Sequence, residues 1–414
     1  MVAPMRILFV VPYVPTRIRV RPHSLLKALV DRGHRVTLVT LWNNEAEREA
    51  LAALVMPGLT IVAAPLPRLR SLANCLTALP TATPLQAVYC WQPRLGEMLE
   101  RLLEVETFDV VHVEHLRGAH YGLLLKDRGL PVVWDSVDCI SYLFEQATAY
   151  SRSLFGKWIT RLELARTRCY EDWLLQQFQA VLVTSETDKQ ALIRLAPGCH
   201  QAGQALNSGK IKVLPNGVAQ NGLTPNGPGP KAETLVLSGK MSYHANVTMA
   251  LHLVQDIMPY IWAERPQVEL TIAGQSPPAA VRQLAADGRV RVTGYVSELQ
   301  TYLQEAAVAV VPAVYGAGIQ NKILEAMACG TPVVAMERSI AALKLQPGQD
   351  ILVAGDARHF AGQVLRLLAD PGLGQTIGLN GYNYVKRYHN WSQIGADLEK
   401  IYQTVIDHDA RRMV

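Results

Sequence analysis

A glycine-containing turn, a helix-forming stretch bearing one Lys and one Glu, then Gly-Thr-Pro and an apolar run follow one another in YGAGIQNKILEAMACGTPVVA (315–335). Backbone amides left free at a glycine turn and a helix start point their N–H dipoles at an anion, and Lys322 adds a full charge in the first turn. A diphosphate fits such a place chemically. Glu325, one turn further on, offers paired acceptors to two vicinal hydroxyls such as those of a ribose. Without a ligand the same segment is a helix start that merely packs, with Glu325 solvated.

Three further groups could do chemistry. His112, Glu114 and His115 follow one apolar run, and Asp135 and Asp138 follow the next. Groups at the carboxyl ends of parallel strands line the ligand crevice of an open α/β sheet, although His112, alternating along DVVHV, reads equally as a buried structural histidine. Arg17, Arg19 and Arg21 alternate in the loop Pro15–Arg21; if the loop is extended they point to one side and can grip an anion, and otherwise they form a solvated basic loop. No metal site is expected, since Asp-x-Asp occurs only at Asp407-His408-Asp409, which reads as a frayed helix end.

The elements that must position these groups recur with a regular rhythm. Apolar runs at 6–11, 35–41, 59–64, 109–113, 131–135 and 180–185 alternate with amphipathic stretches of helical length, the pattern of parallel strands buried on both faces. Gly33 is placed to end the first helix. The stretch QNGLTPNGPGPKAE (220–233) has no periodicity and is rich in Gly, Pro and Asn, so it reads as a linker. The rhythm restarts at 234–239, 268–274, 289–294, 308–313 and 331–336. At 414 residues the chain suits two domains. The expected organisation is a domain over 1–218, a linker over 219–233, a second domain over 234–385 and a C-terminal helix over 386–414. In that tail, apolar residues from Tyr384 to Val405 near helical spacing form a face that can return to the first domain.

Composition narrows the function classes. The formal charge of +5 is spread along the chain without nucleic-acid-binding signatures, so no nucleic acid partner is expected. The six cysteines form no CxxC and read as reduced thiols. The N-terminal MVAPMRILFVVPYVP reads as a first strand rather than a signal peptide, and no apolar run is long enough to span a membrane. Together these imply a cytoplasmic protein.

The 315–335 segment resembles the donor-binding signature of retaining GT-B glycosyltransferases of family 4, EGFG…xxLEAMAxGxPVVA. SGKMSYHANV (238–247), LTIAGQSP (270–277), VRVTGYV (290–296), VLPNGV (213–218) and VLVTSETD (181–188) are similar to the same family in the same order. The first half looks like the branch acting in exopolysaccharide and cell-envelope glycan assembly. The resemblance implies two Rossmann-like doubly wound domains facing across a cleft, a nucleotide-diphosphate sugar as donor, a glycan or lipid-linked acceptor, and no metal or other cofactor. It implies that Gly318, Ile319, Gln320 and Asn321 meet the sugar and diphosphate beside Lys322, that Glu325 holds the ribose, and that Tyr295 lies where backbone groups clasp the base. Lys240 stands where the family has an Arg against the diphosphate; it keeps the charge and loses the bidentate fork. Lys240, His112, His115 and Asp138 become the catalytic candidates, and Arg17, Arg19 and Arg21 the acceptor or phosphate loop.

Two departures bear on this. The family's first Glu is replaced by Ala317, and the His before its Asp by Val137. A nucleotide-sugar epimerase and a catalytically silent sugar-nucleotide binding protein therefore stand as alternatives. Finally, residues 65–95 combine Arg68, Arg70 and Arg94 with Leu, Trp and Tyr and hold no acidic residue. That mixture suits peripheral contact with an anionic membrane; a core helix pair and loop is the plainer alternative.

Overall fold

The Val-, Leu- and Ile-rich runs form parallel strands in a computed structural model of the chain, which describes residues 3–16, 19–150, 154–195, 208–218, 231–315 and 319–411. The chain divides into two units, Met1–Pro215 with Trp391–Val414 and Asn216–Asn390. In the first, β1 (Arg6–Val11), β2 (Arg35–Trp42), β3 (Leu59–Pro65), β4 (Val110–Glu114), β5 (Val132–Val137), β6 (Ala180–Val183) and β7 (Ile211–Val213) lie in the order β3-β2-β1-β4-β5-β6-β7. Every pair is parallel. Parallel pairing needs a crossover over a face of the sheet, and the crossover helices bury both faces. That is why the last five residues of β1 are all apolar and all buried.

In the second unit, β8 (Lys231–Ser238), β9 (Glu269–Ala273), β10 (Val290–Gly294), β11 (Ala306–Val311), β12 (Val333–Met336) and β13 (Leu352–Ala354) take the order β10-β9-β8-β11-β12-β13, again all parallel. In each unit the first strand has its successor on one side and a later strand on the other. The switch points therefore lie at the carboxyl ends of β1 and β4, and of β8 and β11, where open α/β sheets bind ligands.

Gly33 ends the helix Val20–Asp31 as expected, at φ +89° with its N–H on the Val30 carbonyl. Other expectations need correction. The three-residue edge strands β7 and β13 are too short to show as apolar runs. β8 begins at Lys231, inside the stretch expected to be linker, because Lys231 pairs with Ala306 and Glu233 binds Arg265; residues 219–230 lie outside the described residues. Cys169 is disulfide-bonded, while Cys75, Cys90, Cys139 and Cys329 are free. Cys199 lies outside the described residues.

The tail after Tyr384 is two helices rather than one. Pro371–Tyr388 stops at His389, whose Nδ1 is 2.6 Å from the Asn216 carbonyl oxygen and whose own carbonyl accepts the Val218 N–H. Trp391–Ala410 then packs in the first unit, burying Ile394, Leu398, Tyr402 and Val405. The three aliphatic side chains contribute about 1.5–3 kcal/mol each. Gly395 allows this helix to touch Val20–Asp31 closely, since a Cβ there would lie 2.7 Å from the Ala28 Cβ. Glu399 fixes the crossing by binding the Arg32 guanidinium and standing 3.3 Å from His34 Nε2.

Candidate active site

At the β8–β11 switch point the backbone itself forms the surface. The Gly239 N–H donates to the Ala273 carbonyl and the Gly274 N–H to that of Gly294, which ties the ends of β8, β9 and β10 together. Gly274 can only be glycine, because at φ +156° a Cβ would sit 1.8 Å from the Gly239 oxygen. A Cβ at Gly239 would meet Asn246 Nδ2 at 2.8 Å and Lys322 Cε at 3.4 Å. Lys322 therefore reaches from the first turn of the helix Asn321–Ala328 to the end of β8.

Lys322 and Glu325 are both half-buried. Burial lowers the Lys322 ammonium to about 8 although Glu325 opposes it, and burial raises the Glu325 carboxyl, which Lys322 pulls back. Lys322 Nζ donates to Gln320 Oε1 at 3.2 Å. Asn321 Oδ1 accepts from Asn216 Nδ2 at 3.5 Å, and Ile319 packs on the core of the unit. Lys240 is exposed, and its carbonyl accepts from Asn246. Tyr295 is 68% exposed beyond β10, on a groove of about 500 Å³ also lined by Arg291, Glu298, Thr301 and Tyr302. Gly318, and Ala317 with it, lie outside the described residues.

The sequence reading missed one contact here. The loop after β11 is held to the helix His244–His252 by Tyr315, whose hydroxyl is 2.7 Å from His244 Nδ1 and 3.3 Å from Thr248 Oγ1, with the His244 and Tyr315 rings stacked. The pairing spans 71 residues, too far for any local spacing to show it.

At the β1–β4 switch point side chains, not backbone, form the surface. The Tyr13 hydroxyl donates to Glu114 Oε1 at 2.6 Å. Burial, helped by the charge of Asp135, raises the Glu114 carboxyl to about 8 despite that bond. Arg19 binds Glu47 and the Val14 carbonyl and lies over the Tyr13 ring. His115 sits at φ +66°, and burial followed by the Arg117 charge lowers it to about 3. Asp138 accepts from Thr184, and burial together with Asp188 raises it to about 7.

Two candidates belong to the core. His112 has no exposed surface; it stacks on Phe9, its Nδ1 is 2.9 Å from the Tyr402 hydroxyl, and burial holds it well below its usual pKa. It is a structural histidine rather than a catalytic one. Arg21 is not in an extended loop: the helix starts at Val20, and Arg21 Nε and Nη2 bind buried Asp135 Oδ2, both at 2.8 Å, with Nη1 on the Leu214 carbonyl. Arg19 and Arg21 therefore do not present one cationic side, and Arg17 lies outside the described residues. Among the described residues no three His, Cys, Asp or Glu side chains are grouped to hold a metal ion.

Comparison with known proteins agrees with this fold. A family model described as Glycosyl transferase 4-like domain matches residues 18–217, and one described as Glycosyl transferases group 1 matches 232–370. The chain belongs to the GT-B glycosyltransferases of the family 4 type. Sucrose-phosphate synthase from Thermosynechococcus elongatus superposes with a TM-score of 0.70 at 20% identity, covering 98% of this chain and 100% of that one. Anabaena HepE in complex with UDP and glucose superposes at 0.66 and 14%, covering 97% and 100%; both likenesses concern the fold. The phosphatidyl-myo-inositol mannosyltransferase of Mycobacterium leprae is 26% identical over 212 residues, 49% of this chain and 55% of that protein. The chain thus spans about half the length of that curated relative.

Proposed function

We propose that this protein transfers a hexose from a nucleotide-diphosphate donor held by the second unit to a hydroxyl of a glycan or lipid-carried acceptor held by the first. The observation that carries the reading is the Lys322–Glu325 pair at the β8–β11 switch point. Lys322 and the free amides of its helix meet the diphosphate, and Glu325 takes the ribose hydroxyls. As the anomeric C–O bond to the diphosphate breaks, negative charge builds on the leaving oxygen, where a prepositioned ammonium stabilises it most. Because this charge is met by protein cations and helix dipoles, we extend the proposal to metal independence, and on family resemblance to retention of configuration.

The relative acting on phosphatidyl-myo-inositol supports a lipid-carried acceptor, and the resemblance of the first half supports a place in exopolysaccharide or envelope glycan assembly in the cytoplasm. The test is calorimetric titration with UDP, GDP, ADP and their sugars, followed by a donor-hydrolysis assay with and without EDTA. One nucleotide series should bind, its sugar should be released slowly to water, and EDTA should leave the rate unchanged. Failure of every nucleotide to bind, or binding unaltered in both Lys322→Ala and Glu325→Ala, would overturn the donor assignment. Loss of hydrolysis in EDTA with rescue by Mg²⁺ would overturn metal independence alone.

A further inference from the structure

Two arginines of the first unit lack the counter-charge that comparably buried arginines have. Among the described residues, buried or half-buried Arg19, Arg21, Arg166, Arg168, Arg265 and Arg289 each hold a carboxylate within ion-pair distance. Arg70 and Arg117 are half-buried as well. Among the same residues neither has an ion pair, and the Nε of each is buried without a hydrogen-bond partner. Each is the third residue of its helix, Arg70 in Arg68–Ala78 and Arg117 in His115–Asp127. The first turn of a helix favours negative charge, so a cation kept there with a buried donor unmet costs stability unless a ligand supplies the anion.

The two helices bring these cations to one segment. One turn beyond Arg70, Asn74 Nδ2 donates to the Val88 and Trp91 carbonyls at 3.0 and 2.7 Å. One turn beyond Arg117, the Tyr121 hydroxyl donates to the Cys90 carbonyl at 2.9 Å and accepts the Gln92 N–H at 2.8 Å. The Arg117 guanidinium lies 5.5 Å from the centre of the Tyr89 ring. Burial pushes the Cys90 thiol up to about 11 against the charge of Arg117, and burial raises the Tyr121 hydroxyl against that of Arg70. Both charges are thus felt at the Cys90–Tyr121 contact. The neighbouring acids offer them little. Residues 65–95 contain no Asp or Glu, Glu163 is taken by Arg166 and Glu47 by Arg19, and Glu114, raised by burial to about 8, is largely protonated at pH 7.

A single guanidinium fork already satisfies a carboxylate, whereas two forks on separate helices suit a group with about two negative charges and three terminal oxygens. We infer that Arg70 and Arg117 form an anion site in the first unit that takes a doubly charged phosphate group. That this phosphate is carried by the acceptor rests on the transferase reading; the site itself does not.

Phosphorus NMR of the full chain tests it, with glycerol phosphate and inorganic phosphate as probes and glycerate as competitor at equal ionic strength. Both phosphates should bind, and glycerate at equal concentration should not displace them. Arg70→Gln and Arg117→Gln should each weaken binding by about ten-fold or more. Arg70→Lys and Arg117→Lys keep the stem and the charge but lose the fork; they should melt like the wild type and bind between it and the Gln variants, which separates loss of the site from loss of packing. The same titrations in Lys322→Ala, whose donor site is disabled, should give the same dependence on both arginines, so failure of the donor reading is told apart from failure of this one. The inference is overturned if neither phosphate binds, if binding is unchanged in both Gln variants, or if glycerate displaces the phosphates. Loss of phosphate binding in Lys322→Ala would overturn it equally.

Discussion

Raising the pH through 8 should weaken donor binding, and Lys322 should be the cause. In the unliganded protein burial holds this ammonium at about 8, below its ordinary 10.5. It is then about nine-tenths charged at pH 7 and about one-tenth charged at pH 9. A diphosphate beside it favours the charged form, so the complex has the higher pKa and binding above pH 8 must take up a proton. The sign follows: affinity is flat below pH 7 and falls as pH rises, by about ten-fold between pH 7 and 9. The ceiling is the whole charge-assisted contact, about 1.5–3 kcal/mol, or about 10- to 150-fold. Calorimetry with a nucleotide sugar is the assay, because its diphosphate diester does not titrate in this range. Two buffers of different ionisation heat at pH 9 report the proton uptake directly. Lys322→Ala should bind weakly with no such pH dependence, which also removes any titration of the base, and Lys322→Arg should keep its affinity to pH 9. An unchanged dissociation constant from pH 7 to 9, or the same pH dependence in Lys322→Ala, would refute the placement of this ammonium against the diphosphate.

Three further outcomes are expected. Arg21→Ala leaves Asp135 buried without its ion pair and should destabilise the protein by about 3–5 kcal/mol in denaturant titrations; an acceptor-gripping arginine would instead raise KM and leave stability alone. His112→Gln should lower the melting temperature, yet at a permissive temperature kcat/KM should stay within a few-fold of wild type, whereas a catalytic histidine would lose far more. Gly274→Ala should abolish soluble expression because its Cβ meets the Gly239 oxygen at 1.8 Å, while Gly33→Ala, with open space around it at φ +89°, should cost about 1 kcal/mol in a denaturant melt.

How far the molecule is legible in its sequence depends on the range of the interactions. β1, β2 and β11 are long and buried on both faces, so their residue types alone announce them; β7 and β13 are held by one neighbour each and carry too few residues to do so. The Lys322–Glu325 pair is legible because it is built within one helical turn. His112 is not, since a strand residue's partners come from other elements, here Phe9 and, 290 residues away, Tyr402. The arginine loop misled for a related reason. Alternation predicts a common side only in extended chain, and the pull of buried Asp135 draws Arg21 into the first turn of a helix instead.

The two switch points differ in what they ask of the backbone, and this bears on where substitutions in the chain can act. In the second unit the residues after β8 and β9 and the last residue of β10, Gly239, Gly274 and Gly294, take positive φ and are glycines, although Glu233 near the start of β8 and Ser276 beyond β9 also take positive φ, at +65° and +57°. At those three glycines the positive φ carries no steric strain. In the first unit the corresponding positions are His115 at φ +66° and Val137 at φ +69°. A β-branched residue in that conformation costs of order 1–3 kcal/mol, offset by what surrounds it: the Val137 N–H is held by Asp135 Oδ1 and its carbonyl accepts from Thr184. Asp135 also binds Arg21, so one buried carboxylate both neutralises the core arginine and fixes a strained turn at the mouth of the sheet. A change at Asp135 would therefore reach Val137 and Asp138 through the backbone.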